Sequence, residues 1–381
     1  MSGPLVERPF AGAMSFDSDP GSAAGGVIGP ILEQLGGVVP DLAMLFVSGS
    51  HVEHMADLVA AVRSMISPST MLAVSAGGVL GGGIEVEKGP AIALWAGTTG
   101  PVDSVRMEGF DRSTILGVPE DLVAGQTLLV LADPSSFPTE ALFDGLPGGV
   151  DVVGGLTSAA GEPGGNRLWI DGVEHTSGAV GVVFPSGVVR PIVSQGCRPI
   201  GVPWVVTRAD RHLVYELAGR PVRDRVNELI ASLSLGDRLA AQRGLHLGIA
   251  VDDQTDELTH DDVLIRTVMG IEQTRQALAV GANVEVGQVV QFQVRDAASA
   301  GADLAHMLSR EDRAIDGALV FASDGRGTRL FPAPHHDAGM VDEFSHGGVA
   351  GMFCAGEVGP IGRRNVVHRF SATVLAFRQL P

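Results

Sequence analysis

Leu42-Ala43-Met44-Leu45-Phe46-Val47 is an unbroken apolar run of strand length, and the residues after it set the architecture. The stretch 51–66 places Met55, Leu58, Val59, Val62 and Ile66 at helical spacing. Ser50 followed by Glu53 predicts a capping box at its start. A second apolar run at 71–74 then leads into a glycine-rich segment at 77–83, read as a turn, and a strand at 91–95. The order is strand, helix, strand, turn, strand.

The same order returns twice. Residues 127–131, 137–146 and 150–153 read as strand, short helix and strand, followed by a glycine-rich turn at 154–165 and strands at 168–170 and 179–184. A third round begins at Ala318-Leu319-Val320-Phe321, continues through a short helical segment to a strand at 349–353, turns at Cys354 and closes at 372–377. Its middle turns align loosely: Gly77-Gly78-Val79-Leu80-Gly81, Gly155-Leu156-Thr157-Ser158, and Gly351-Met352-Phe353-Cys354. Between rounds two and three lies a different region. It has a helix at 222–233, strands at 246–251 and 264–269, and an alternating strand at 287–294 that puts Val290, Phe292 and Val294 on one face. A helix at 296–310 comes next. The proline-rich stretch 185–203 is the expected boundary, giving domains 1–195 and 196–381. The fold class expected is α+β: mixed β-sheets covered by helices, with repeated β-α-β-β units in two pseudo-similar halves.

Composition narrows the function. The net charge of −18 opposes binding to nucleic acid or to an anionic membrane, since phosphates need clustered cations. No apolar stretch is long enough for a membrane span, and residues 1–19 lack the basic-then-apolar order of a signal peptide. Cys197 and Cys354 are too few for a disulfide framework. These features predict a soluble, cytoplasmic protein. Lys88 is the one lysine among 26 Lys and Arg residues, a skew read as genomic rather than functional.

The chemistry-bearing residues cluster late in the chain. Gly351-Met352-Phe353-Cys354-Ala355-Gly356-Glu357-Val358-Gly359-Pro360-Ile361-Gly362-Arg363-Arg364-Asn365-Val366-Val367-His368 sets polar groups among glycines, which permit close backbone approach to a ligand. Cys354 is either a reactive thiol activated by His368 or a small buried residue. Glu357 suits a ligand ammonium or nearby backbone N–H groups. Arg326, between two glycines, suits a ligand carboxylate or a structural one such as Glu357. Ser323, Gly356, Asn365, His368, Thr157, Ser158 and Glu162 complete the candidate ligand contacts. No metal or other cofactor is expected. His51 with His54, and His335, His336, Asp337 with His346, lack a zinc spacing with a fourth ligand, and no Walker or dinucleotide fingerprint is present.

In order, Cys197-Arg198-Pro199-Ile200-Gly201, Val214-Tyr215-Glu216-Leu217-Ala218-Gly219-Arg220-Pro221, Phe321-Ala322-Ser323-Asp324-Gly325-Arg326-Gly327 and Phe353-Cys354-Ala355-Gly356-Glu357-Val358-Gly359-Pro360 resemble FIST-domain proteins, across both the N-terminal and C-terminal modules. The resemblance implies an intracellular sensor of small ligands, amino acids or related carboxylates, working in signal transduction through a separate partner protein. Family members often carry Cys-Asn where this chain has Ser323-Asp324, so the resemblance does not carry over chemistry that needs a second cysteine there. Two alternatives stand beside the sensor. One is a thiol hydrolase or transferase using Cys354 and His368, with Glu357 as orienter. The other is a protein-protein interaction module.

Overall fold

The computed structural model of the chain describes residues 9–251, 263–311 and 313–379. Part of the 1–19 segment, residues 1–8, lies outside the described residues. The fold is α+β, in two compact units: one runs to Ser194 and resumes at Leu304, and the other is Gln195–Asp303.

The first copy of the repeat holds β1 (Phe10–Ser15), α1 (Pro20–Gln34), β2 (Leu42–Ser48), α2 (Met55–Ile66), β3 (Thr70–Ala76), the hairpin β4 (Val79–Gly81) and β5 (Ile84–Val86), and β6 (Ile92–Gly97). β2 and β3 pair in parallel from Leu42↔Thr70 onward and are buried along their whole lengths, as expected for a parallel pair covered on both faces. Asp19 caps α1 by accepting from Ser22 N at 2.8 Å, with Pro20 in the first turn. The capping box expected at Ser50 and Glu53 does not form. Residues 49–54 make a tight 3-10 turn instead, and α2 begins after His54 without a side-chain cap.

The second copy holds β7 (Asp103–Gly109), the short β8 (Ile115–Leu116), β9 (Thr127–Ala132), α3 (Thr139–Gly145), β10 (Asp151–Leu156), the hairpin β11 (Leu168–Ile170) and β12 (Val173–His175), and β13 (Ala179–Phe184). The third opens with β14 (Val189–Ser194), and the second unit then intervenes. That unit contains β15 (Cys197–Pro199), β16 (Trp204–Asp210), β17 (Leu213–Leu217), β18 (Arg220–Pro221), α4 (Val222–Ser232), α5 (Leu235–Arg243), β19 (Leu245–Ala250), β20 (Val263–Glu272), β21 (Ala277–Val280) and β22 (Val289–Arg295). Its antiparallel pairings run β22-β16-β17-β21-β20-β19, and β19 pairs back to β22, closing a ring. Val290, Phe292 and Val294 of β22 do face its core. The division between units falls inside α6 (Ala297–Ser309), after which the third copy resumes with β23 (Gly317–Ser323), α7 (His336–Phe344), β24 (Val349–Cys354), the hairpin β25 (Gly356–Ile361) and β26 (Arg364–His368), and β27 (Ala372–Phe377).

The three sheets of the first unit share one plan: β1-β6-β2-β3-β11-β12, β8-β7-β13-β9-β10-β25-β26, and β14-β27-β23-β24-β4-β5. Each has a leading strand, a closing strand, a parallel pair and a hairpin, and the hairpin always comes from another copy. Copy one lends β4–β5 to copy three, copy two lends β11–β12 to copy one, and copy three lends β25–β26 to copy two. The exchange is cyclic. The glycine stretches predicted as turns are strand only in part: 79–81 is β4, 154–156 ends β10, and 351–354 lies in β24, whereas 77–78, 82–83 and 157–165 are turn or loop. Their glycines serve close packing. A Cβ at Gly351 would sit 1.9 Å from the Val320 carbonyl oxygen, and one at Gly155 would sit 2.3 Å from the Cys354 sulfur.

A shared core fills the space between the sheets, with Phe10, Phe46, Trp95, Phe184, Phe321 and Phe377 contributed by all three copies. Trp95 and Phe377 pack with ring centroids 4.4 Å apart, and the indole N–H donates to Gly348 O at 3.1 Å. Burial of each such ring stabilises the fold by about 1.5–3 kcal/mol. Separate outer cores lie under α1 and α2, under α7 with the end of α6, and under α3.

Candidate functional site

The second strand of each parallel pair ends at the same place. Ser158, just past β10, accepts from Gly77 N at 2.9 Å, just past β3, and donates to Phe353 O near the end of β24. Phe353 N donates to Gly78 O at 2.9 Å, and Asp324 N, just past β23, donates to Cys354 O at 3.0 Å. One hydroxyl thus ties all three copies together at the carboxyl ends of their parallel strands, the end of an open α/β sheet where ligands bind.

A cavity of about 210 Å³ opens there, lined by Gly77, Gly78, Glu87, Lys88, Ser158, Asp324, Arg329 and Phe353. Its charges are mixed. Arg329 donates to Asp324 O at 3.0 Å and lies 3.7 Å from the Asp324 carboxylate. Glu87 accepts from Thr328 N at 2.7 Å and Thr328 Oγ1 at 2.9 Å, which fixes the 327–329 turn that carries Arg329. Lys88 is exposed and makes no ion pair or hydrogen bond among the described residues. The N–H groups of Gly78 and Ser158 likewise have no acceptor among the described residues. Two cations and two backbone donors can receive a carboxylate, and Asp324 can receive an ammonium.

Most residues singled out in the sequence do not line this cavity and are engaged within the fold. Arg326 is fully buried, and its fork closes on Asp337, with Nε 2.6 Å and Nη2 2.8 Å from the two carboxylate oxygens. The Phe331 ring lies 5.3 Å from the guanidinium carbon. Burial alone would raise the Asp337 pKa, but the Arg326 charge and its hydrogen bonds overcome this and bring it to about 2. The expectation that Arg326 meets a ligand carboxylate is therefore corrected: a carboxylate of the protein already fills its fork. Beside that pair, Glu85 accepts from Asp337 N at 2.8 Å and Ala338 N at 2.9 Å, the first N–H groups of α7. Burial nonetheless raises the Glu85 pKa.

Glu357 is also fully buried. Its Oε2 accepts from Ser371 N at 2.9 Å and Ser371 Oγ at 2.8 Å, and its Oε1 has no partner among the described residues. Burial pushes its pKa up to about 8 against those bonds and the Arg326 charge. Cys354 is buried in the central core, with its sulfur 3.7 Å from Met352 O. Burial drives the thiol well above its ordinary pKa, and Glu357 and Asp324 add to the rise. The His368 ring lies 3.1 Å from Gly359 O, and Cys354 has no hydrogen bond to it. The Cys354–His368 pair of the hydrolase reading is thus not assembled, because the thiol points into apolar packing rather than toward a base.

The remaining candidates shape the backbone. Asn365 of β26 accepts from Val152 N and donates to Val150 O, both at 2.8 Å, and so locks the lent hairpin onto copy two. The Ser323 hydroxyl accepts from Gly325 N and Phe370 N, both at 3.2 Å. Gly356 is wedged between Leu156 and Val367. Thr157 donates to Ala132 O at 3.2 Å. Glu162 is exposed and does not line the cavity. Among the described residues no three metal-ligating side chains converge, and no helix is long and apolar enough to cross a membrane. Sequence reading missed Lys88, Arg329 and Glu87. The one available signal was the solitary lysine.

A maleimide added to the folded protein should modify neither cysteine, since both are buried, and should modify both in denaturant. Mass spectrometry with and without guanidinium checks this. Rapid single labelling at Cys354 would restore the nucleophile reading.

Known proteins resemble the chain over nearly its full length. The FIST N domain matches residues 41–220 and the FIST C domain residues 224–360. Rv0628c of Mycobacterium tuberculosis, an uncharacterized protein, is 38% identical over 358 residues, covering 91% of this chain and 93% of the relative. Mb0898c of Mycobacterium bovis, also uncharacterized, is 38% identical over 373 residues, covering 94% and 96%. FIST domains are associated with sensory binding of small ligands in signal transduction. With its matches to both modules, this chain belongs to the FIST-domain family.

Proposed function

We propose that the chain is a cytoplasmic sensor that binds a small zwitterion, an amino acid or related carboxylate, in the cavity at the junction of the three copies, and reports its occupancy to a separate signalling protein. The observation that carries this reading is the charge arrangement. Lys88 and Arg329 stand with unpaired backbone N–H groups on the same small cavity as Asp324. The carboxylate end of the ligand meets the cations, and its ammonium meets Asp324. The cavity size of about 210 Å³ suits a metabolite of a few heavy atoms rather than a peptide. A ligand there touches segments of all three copies at once, so it favours whichever packing of the copies leaves the cavity intact.

Thermal-shift screening against the standard amino acids and small carboxylates tests the proposal. At 100 times its dissociation constant a ligand should stabilise the protein by about 2.7 kcal/mol. Lys88→Ala and Arg329→Ala should each weaken binding about tenfold or more, since a charge-assisted hydrogen bond contributes about 1.5–3 kcal/mol. Both side chains are exposed, so the unliganded variants should melt as the parent does. A ligand whose affinity is unchanged in both variants would place the site elsewhere.

A further inference from the structure

The cyclic exchange creates three equivalent junctions, each where a lent hairpin turns beside a helix of the receiving copy. At two of them a side chain of that helix stands against the turn. At the β11–β12 turn, a Cβ on Gly172 would fall 2.0 Å from an Arg63 nitrogen at the end of α2. At the β4–β5 turn, a Cβ on Gly83 would lie 3.4 Å from an Asp342 carboxylate oxygen of α7. The third junction, between the β25–β26 turn and the segment after α3, is open. It encloses a cavity of about 330 Å³ whose polar lining includes Asp144, Gly148, Gly149, Arg363, Arg364 and Asn365.

Asn365 makes a rigid edge, since both ends of its amide are held by β10 and the residue before it. Arg363 and Arg364 are exposed and make no ion pair among the described residues. The N–H groups of Gly148 and Gly149 have no acceptor among the described residues. In a chain of net charge −18, with 44 Asp and Glu residues, two adjacent arginines facing a single carboxylate leave a local excess of positive charge. Guanidinium forks and backbone N–H groups together match an oxyanion with several acceptor faces.

We infer that this third junction is a binding site for the phosphate group of a small molecule, separate from the cavity at the strand ends. Arg363 and Arg364 supply the charge, and the Gly148-Gly149 backbone supplies the remaining donors. The two sites share no lining residue, so this one stands whether or not the strand-end cavity is a sensor site. Isothermal titration with inorganic pyrophosphate at low ionic strength tests it. Saturable binding is expected, weakened at least tenfold in the Arg363→Ala/Arg364→Ala double variant and unchanged in Lys88→Ala. The arginines are exposed, so the double variant should keep the parent's melting temperature, which is measured alongside. Absence of saturable binding, or binding that survives the double substitution, overturns the inference.

Discussion

Asp337→Ala should destabilise the protein by about 3–5 kcal/mol, because it strands a fully buried guanidinium. Arg326 has no exposed surface, and its two bonds to the Asp337 carboxylate supply an opposite charge that offsets its burial, beside a longer bond to Phe370 O. The loss spreads further, since α7 also anchors Glu85 through its first N–H groups. Arg326→Ala should cost a similar amount, because the buried Asp337 carboxylate loses the guanidinium fork and keeps the His336 ring nitrogen 3.1 Å away in its place. Replacing both partners together, as Arg326→Met with Asp337→Leu, should recover much of the stability, because two apolar groups leave no buried charge behind. Urea titrations of the single and double variants measure this. An unchanged midpoint for Arg326→Ala would show that the pair is not structural. A loss of ligand binding in Arg326→Ala alone would therefore not identify a ligand contact.

Glu357→Gln should make stability at neutral and alkaline pH higher than in the parent. The folded-state pKa of Glu357, about 8, lies above its ordinary value of 4.5. A raised pKa means that the folded protein holds a proton the unfolded chain has lost. The parent's stability from this group is thus complete below about pH 4.5 and falls as pH rises toward about 8. Each pH unit in that window costs up to about 1.4 kcal/mol, so the accumulated loss is on the order of a few kcal/mol. Glutamine keeps an acceptor for Ser371 and cannot ionise. The gap between variant and parent in urea unfolding should widen steadily across the window and level off above it. Parallel pH profiles would mean that Glu357 is not held neutral inside the fold.

The repeat was legible because its parallel strands are mostly apolar runs that recur in one order with glycine-rich segments after them. Runs such as 42–47, 127–131 and 318–321 carry that signal locally. The hairpin exchange was illegible for the opposite reason. β4, β5, β11 and β12 are three residues each, too short for periodicity, and β4 pairs with β24 far along the chain. The same distance hid the site's supports: Glu85 meets Asp337 across 252 positions, and Glu87 meets Thr328 across 241. The segment 351–368, the densest in polar residues and glycine, proved to be the crossing from the third sheet into the second. Its Gly356, Glu357, Asn365 and His368 are fixed by strand pairing and hydrogen bonds within the fold. Lys88 and Arg329 carry no local pattern at all. Only the folded chain shows that they border one cavity.

The solitary lysine makes the central claim directly measurable. Protein labelled with ¹⁵N and ¹³C at lysine alone carries a single lysine side-chain signal, that of Lys88 at the cavity mouth. The small carboxylate or amino acid that stabilises the protein in a thermal-shift screen is titrated into this sample. The Lys88 signal should move saturably, with the dissociation constant found by the thermal shift, and should stay still for compounds that do not stabilise the protein. A stabilising ligand that leaves the Lys88 signal unmoved through saturation would contradict the assignment of the sensing site to the junction of the three copies.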